Sequence, residues 1–143
     1  MATIVIPLRP VPYHRMTQHS KFSEKAKEYR SWKNSIQFCL KTAERTLPEG
    51  HIPLQQRKTL GIQFHLPMPK NWSLKRKSEL RGTPHTQRPD LSNLLKALED
   101  ALWQEDSVLW YYNHLSKFWN DSGKIIILDA DGKPNEIFLD IHR

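Results

Sequence analysis

The chain has 143 residues, of which 38% are hydrophobic and 10% aromatic, and this content excludes an intrinsically disordered protein. Its 22 Lys and Arg against 15 Asp and Glu give a formal charge of +7, which favours nucleic acid as a partner, although such charge also merely keeps some proteins soluble. The single cysteine, Cys39, excludes an intrachain disulfide and a cysteine-rich zinc site. We expect a single domain over residues 1–143.

The N-terminal residues lack the charged region and the apolar run of a secretory signal, and no segment is apolar enough to span a membrane. One unpaired cysteine suits a reducing compartment. These features predict a cytoplasmic protein without a membrane segment.

The N-terminal third predicts a strand, a loop and a long helix. Thr3–Leu8 is a β-branched run that ends at prolines, and an extended basic loop with His14 and Arg15 follows. From Ser23 to Thr46 there is no proline or glycine, and apolar residues recur at helical spacing. Ser23 is the predicted N-cap of this amphipathic helix.

The middle of the chain concentrates positive charge. Leu60–Leu66 alternates as a strand does, and a basic, turn-rich stretch over residues 70–88 follows. With His85, its basic residues are predicted to contact DNA, although a solvated loop is an equally plausible interpretation. The predicted contacts are Lys70, Lys75, Arg76, Lys77, Arg81, His85 and Arg88.

The remainder predicts one helix and three strands. Residues 90–103 are rich in helix formers, with Asp90 or Ser92 as the N-cap. Strands are predicted at 107–119, 124–128 and 136–141. The order β-α-β-α-β-β-β indicates an α+β domain with a mixed sheet and two main helices.

A helical projection of residues 90–103 separates an apolar face from a polar rim. The apolar face comprises Leu94, Leu95, Leu98, Ala101 and Leu102, and the rim comprises Ser92, Lys96, Glu99, Asp100 and Trp103. Metal-assisted phosphodiester hydrolysis needs hard oxygen ligands and a nearby cation, which Asp90, Asp100, Asp106 and Lys96 would supply. The same residues also suit ordinary helix capping and i,i+4 ion pairs.

Three segments in the second half of the chain carry a recognisable pattern: MPKNWSLKRK (68–77), GTPHTQRPDLSNLLKALEDAL (82–102) and EDSV (105–108). In order and spacing they resemble the RusA family of crossover-junction endodeoxyribonucleases. The resemblance implies a small α+β fold, a homodimer, Mg²⁺ dependence with Mn²⁺ as a substitute, and paired nicks across a four-way DNA (Holliday) junction in recombination and repair. By position it makes Asp90 and Asp106 catalytic metal ligands, Asp100 a further metal ligand, and Lys96 the essential lysine.

Ser92 departs from the family pattern, which has a second aspartate at this position. A neutral hydroxyl contributes no charge to hold a dication. Glu99 lies two helical turns beyond Ser92 near the same azimuth, so we hypothesise that its carboxylate acts as a substitute in catalysis. On this hypothesis, Glu99→Gln costs nearly as much activity as Asp90→Asn.

Two alternatives to a junction-resolving nuclease stay open. Loss of the second aspartate is compatible with a catalytically impaired protein that only binds junctions or other branched DNA. A nuclease for other branched substrates, such as flaps or forks, is the second alternative, since residue pattern does not encode branch geometry.

Overall fold

The computed structural model describes residues 3–47, 54, 59–103 and 111–128. Within these ranges, four strands and three helices follow one another in chain order. They are β1 (Thr3–Ile6), α1 (Glu24–Arg45), β2 (Thr59–Pro67), α2 (Leu74–Leu80), α3 (Leu91–Leu102), β3 (Tyr111–Asn120) and β4 (Lys124–Leu128).

The four strands form one mixed sheet in the order β1-β4-β2-β3. β2 and β3 are parallel, whereas β4 is antiparallel to both β1 and β2. The connection between the two parallel strands carries α2 and α3. The predicted α+β fold with a mixed sheet is therefore confirmed.

The core lies between one face of the sheet and the helices α1 and α3. Alternate residues of β2, including Ile62 and Phe64, point into it, as do Ile125 and Ile127 of β4. The buried side of α3 comprises Leu94, Ala97, Leu98, Ala101 and Leu102. The apolar face predicted for this helix is confirmed except that Leu95 is only partly buried.

Both long helices begin near their predicted positions. The Ser23 hydroxyl accepts a hydrogen bond from the Ala26 backbone N–H at 3.1 Å and caps α1, as expected. Asp90, rather than Ser92, occupies the N-cap position of α3. Trp103 is only 6% exposed, so its predicted place on the polar rim is wrong, because the chain leaves helical geometry there and the indole joins the core.

The stretch that was predicted to be turn-rich contains the short helix α2. Ser73 is its N-cap and accepts a hydrogen bond from the Arg76 backbone N–H. Every residue of α2 is at least partly exposed. This helix therefore has no buried apolar face, and its sequence lacks the periodic apolar pattern by which amphipathic helices are recognised.

Residues 82–85 pair with β3 and extend the sheet by one short segment. The Gly82 N–H donates to the Trp119 carbonyl, the Trp119 N–H to the Thr83 carbonyl, and the His85 N–H to the Lys117 carbonyl, at 2.9–3.0 Å. Gly82 has a φ of 79°, a conformation that glycine adopts without steric cost. This pairing holds the basic stretch against the C-terminal half of β3.

The predicted strand at 136–141 and the first residues of the predicted strand at 107–119 lie outside the described residues. Among the helices that the structure describes, none is both long and apolar enough to cross a lipid bilayer.

Candidate active site and nucleic-acid interface

Asp90 stands at the start of α3 in a position fixed by β3. The Lys117 ammonium donates hydrogen bonds to the carbonyl oxygens of Gln87 at 2.6 Å and Pro89 at 2.7 Å. Desolvation lowers the pKa of Lys117, and the nearby Asp90 charge opposes that shift. Within the described residues, the exposed Asp90 carboxylate makes no capping hydrogen bond to α3. It is therefore available to a ligand.

Lys96 lies in the second turn of α3 and contacts the loop between β1 and α1. Its ammonium is 4.2 Å from the centre of the Tyr13 ring, a cation–π contact. The Tyr13 backbone N–H donates to the Asn93 carbonyl at 3.1 Å, which ties the loop to the same helix. Tyr13 thus orients the lysine, a role that its sequence position does not reveal.

Asp100 lies on the exposed rim of α3, with its side chain 40% exposed, and also contacts α1. Its carboxylate accepts hydrogen bonds from the Tyr29 hydroxyl at 2.9 Å and the Lys33 ammonium at 3.2 Å. Burial, and then the hydrogen bond with Asp100, raise the pKa of Tyr29. Asp100 is therefore engaged in a link between the two long helices.

The spacing along α3 separates Asp100 from Asp90. Ten residues of helix rise about 15 Å. Magnesium takes its oxygen ligands at about 2.1 Å, so the two side chains cannot bind the same ion. The structure does not bring these two predicted ligands together.

Glu99 is directed toward the sheet. The Tyr112 hydroxyl donates a hydrogen bond of 2.5 Å to its carboxylate. Seven residues of helix place Glu99 about 10 Å along the axis from Ser92. Ser92 itself is exposed on the first turn of α3.

The fit of a magnesium ion depends on Asp90. Magnesium binds through one or two carboxylates together with substrate phosphate and water, and the exposed Asp90 carboxylate fits that chemistry. Asp106 lies outside the described residues. Among those that are described, no group of three His, Cys, Asp or Glu side chains is arranged to hold a metal ion.

The predicted DNA contacts all lie in the connection between β2 and α3. Arg76 stacks on Trp72 at 4.1 Å, and Trp72 packs on Trp119 of β3 with ring centres 4.8 Å apart. Arg81 makes a two-point ion pair with Asp121 at 2.8 and 2.9 Å. The exposed members of the set are Lys70, Lys75, Arg76, Arg81 and Arg88, and Lys77 is partly buried.

His85 differs from the other predicted DNA contacts because it is buried. It is 4% exposed, and its ring centre lies 4.0 Å from that of Trp119. Burial, and then the charge of Lys117, lower the pKa of His85, which favours the neutral ring. We therefore assign His85 a packing role in place of the predicted phosphate contact.

The residues that sequence reasoning missed are Tyr13, Tyr29, Tyr112 and Lys117. Of these four, only Lys117 could have been singled out from the sequence, because it is the one lysine in the largely aromatic and apolar predicted strand 107–119. The three tyrosines are held by contacts with residues that are distant in the sequence.

Metal-assisted cleavage of DNA needs a carboxylate to bind the ion and cations to hold the phosphates, and Asp90, Lys96 and the exposed basic residues between β2 and α3 are of these types. The profile of the family described as endodeoxyribonuclease RusA matches residues 7–128. The chain therefore belongs to the RusA endodeoxyribonuclease family. The match extends beyond the three segments that show the resemblance and includes β4 and the loop that contains Tyr13. No curated protein sequence matches the chain.

Proposed function

We propose that this protein is a magnesium-dependent endonuclease that resolves four-way DNA junctions by paired phosphodiester hydrolysis. The observation that carries the proposal is the position of Asp90, which is exposed at the start of α3 and set there by Lys117, with Lys96 on the same helix. Membership of the RusA family supports it.

Asp90 and Asp106 are the proposed magnesium ligands. When bound, the ion would supply an activated water and neutralise charge on the scissile phosphate. Lys96 places its ammonium near the phosphate to stabilise the charge that develops in the transition state. We propose that Asp100, given its bonds to Tyr29 and Lys33, anchors α3 to α1 and does not bind the same ion as Asp90.

The basic surface around α2 is proposed to track phosphates. Lys75 and Arg76 are exposed on a helix that is attached to β3 through Trp72. Such contacts position DNA without reading its sequence. A homodimer is part of the proposal, because two sites related by a twofold axis can nick opposing strands symmetrically. We also expect Mn²⁺ to substitute for Mg²⁺.

A junction-binding protein without cleavage is the second candidate. It is favoured by Ser92, which puts a neutral hydroxyl on the first turn of α3, and by the hydrogen bond that directs Glu99 toward Tyr112. The fold and the basic surface would serve such a protein equally well.

The test uses labelled four-way junctions, flap DNA and linear duplex, each incubated with the protein and either Mg²⁺ or EDTA. Denaturing gels then give the product lengths. Symmetric, magnesium-dependent nicks in the four-way junctions, with duplex left intact, are expected. Asp90→Asn is the matched control and should bind the junction without cutting it.

The contrary outcomes separate the alternatives. Nicks confined to flaps would indicate a nuclease for other branched DNA. Tight junction binding without cleavage in Mg²⁺ or Mn²⁺ would favour the non-catalytic candidate. In that case Ser92→Asp, which restores the missing carboxylate, should switch cleavage on.

A further inference from the structure

A cavity of about 260 Å³ opens between the β1–α1 loop and the first half of α1. One wall comes from loop residues and the other from one side of the helix. The lining residues are Val11, Pro12, Tyr13, His14, Lys25, Glu28, Tyr29 and Trp32. We refer to this space as the aromatic cavity.

Four rings define its inner surface. Tyr29 and Trp32 are nearly parallel, with ring centres 6.0 Å apart and 19° between their planes. Tyr13 meets Tyr29 edge-on at 6.0 Å, and His14 approaches the same ring at 6.1 Å. A flat aromatic ligand would find ring faces and ring edges on both walls.

The cavity also has polar groups that can distinguish ligands. Lys25 and Glu28 are the exposed members of the lining together with Pro12, so they mark its solvent side. A donor and an acceptor at the opening suit a heterocycle better than a hydrocarbon.

Two of the lining residues also contact the proposed active-site helix. The Tyr13 ring lies beneath the Lys96 ammonium, and the Tyr29 hydroxyl donates to Asp100. A ligand in the aromatic cavity would therefore lie one ring away from the lysine assigned to the scissile phosphate. The strand that carries the phosphate is the natural source of such a ligand.

We propose that the aromatic cavity binds one unpaired nucleobase of the branched DNA substrate. The inference rests on the proposed function. The volume lies just below the range of about 300–1,000 Å³ usual for small-molecule pockets, which suits a single base. Every base has a face that stacks on aromatic rings, and Lys25 and Glu28 would then set any preference among bases.

This assignment gives the protein a way to recognise branch points. Bases in linear duplex are paired and stacked on both sides, whereas base pairs at the exchange point can lack a stacked neighbour, so extracting a base there costs less free energy. Filling the cavity should therefore weaken binding to junctions and leave binding to linear duplex unchanged.

Photocrosslinking provides the direct test. Four-way junctions carry 5-iododeoxyuridine at one position next to the exchange point, and the full chain is irradiated with each junction in EDTA, so that no cleavage occurs. Peptide mapping should place the crosslinks on Tyr13, His14, Tyr29 or Trp32. Crosslinks confined to other residues, with the junction bound, would overturn the proposal.

Two variants extend the test. Val11→Trp fills the cavity and should lower affinity for the junction at least about fivefold, the low end of what stacking of one base contributes. Glu28→Gln removes the charge at the opening, keeps the size of the side chain, and should change base preference at the crosslinked position. Val5→Trp, on the exposed edge strand β1, is the matched control and should bind normally.

The outcomes separate this inference from the proposed function. If Val11→Trp fails to fold by circular dichroism, crosslinking of the unmodified chain and the Glu28→Gln variant decide the question. A protein that cuts junctions but crosslinks elsewhere keeps the proposed function and loses the base site. A protein that binds no branched DNA loses both.

Discussion

The Lys117 ammonium donates a hydrogen bond of 2.7 Å to the carbonyl oxygen of Pro89, the residue directly before Asp90. A strand of the sheet therefore sets the position of the proposed metal ligand. Lys117→Met should raise the Mg²⁺ concentration for half-maximal cleavage about 10–100-fold, the range typical of residues that orient metal ligands. Lys117→Arg, which keeps the donors, should recover part of the loss.

Magnesium titrations of junction cleavage measure this effect. Lys41→Met, on the exposed side of α1, is the control for loss of one positive charge. A Lys117→Met protein that cleaves more slowly but needs no more Mg²⁺ would show that Lys117 does not act through Asp90.

Asp90→Asn and Asp100→Asn should have different consequences. Asp90→Asn is expected to lower the cleavage rate by about two orders of magnitude or more with the fold intact. Asp100→Asn should leave cleavage near its original rate and lower the free energy of unfolding by about 1 kcal/mol, because it weakens the bonds to Tyr29 and Lys33. Equal losses of cleavage in both variants would restore Asp100 as a metal ligand.

Substitution of Glu99 tests whether its carboxylate replaces the aspartate that the family pattern has at the position of Ser92. If its carboxylate substitutes for that aspartate, Glu99→Gln should reduce cleavage nearly as much as Asp90→Asn. Tyr112→Phe removes the hydrogen bond but keeps the carboxylate, and it should cleave at close to the original rate. Normal cleavage by Glu99→Gln would reject the substitution hypothesis.

The salt dependence of DNA binding should distinguish free from paired basic residues. Replacing an exposed phosphate contact, as in Lys75→Ala, should weaken binding across sequences and reduce the slope of log K against log salt by about 1. Arg81→Ala should have a smaller effect, because Asp121 already neutralises its charge. Conversely, Asp121→Asn should strengthen binding, and an unchanged affinity would argue against a phosphate contact by Arg81.

Stability should depend on pH through His65. Its ring is buried, its Nε2 meets Gln63 at 2.6 Å, and its Nδ1 meets Asn120 at 3.0 Å. Burial, with a smaller effect of Lys124, lowers the pKa of His65 to about 4. Its value in the unfolded chain is about 6.5.

Between these two values the unfolded chain binds a proton that the folded protein does not. The contribution of His65 is therefore complete above pH 6.5 and is lost as the pH falls toward 4, by an amount on the order of 3 kcal/mol. Urea denaturation at pH 7 and pH 5 measures the loss. His65→Gln should show a shallower dependence, with the remainder due to His85 and His114, whose pKa values burial also lowers.

The long elements could be predicted because their signals are local. α1 and α3 carry apolar residues at helical spacing, and Ser23 caps the first of them as its position suggests. α2 could not be predicted from a buried stripe, since every residue in it is at least partly exposed.

The site was predicted only in part for a related reason. Helical projection gives the direction of a side chain but not what lies opposite. Asp100 does lie on the predicted exposed rim, but its hydrogen bonds with Tyr29 and Lys33 of α1 could not be predicted. Two other contacts join residues that are far apart in the sequence: Lys117 with Pro89, 28 positions apart, and Lys96 with Tyr13, 83 positions apart. Local sequence patterns do not reveal such contacts.

The pairing of residues 82–85 with β3 has a consequence for the behaviour of the protein in concentrated solution. A strand edge with unpaired N–H and C=O groups is a template for aggregation, and here the outer edge of β3 is covered where Phe118 and Trp119 lie. The opposite edge, β1, is only four residues long. Residues 82–85, which lie between α2 and α3 in the chain, thus also protect the sheet from association with other chains, so variants that loosen this pairing should precipitate more readily.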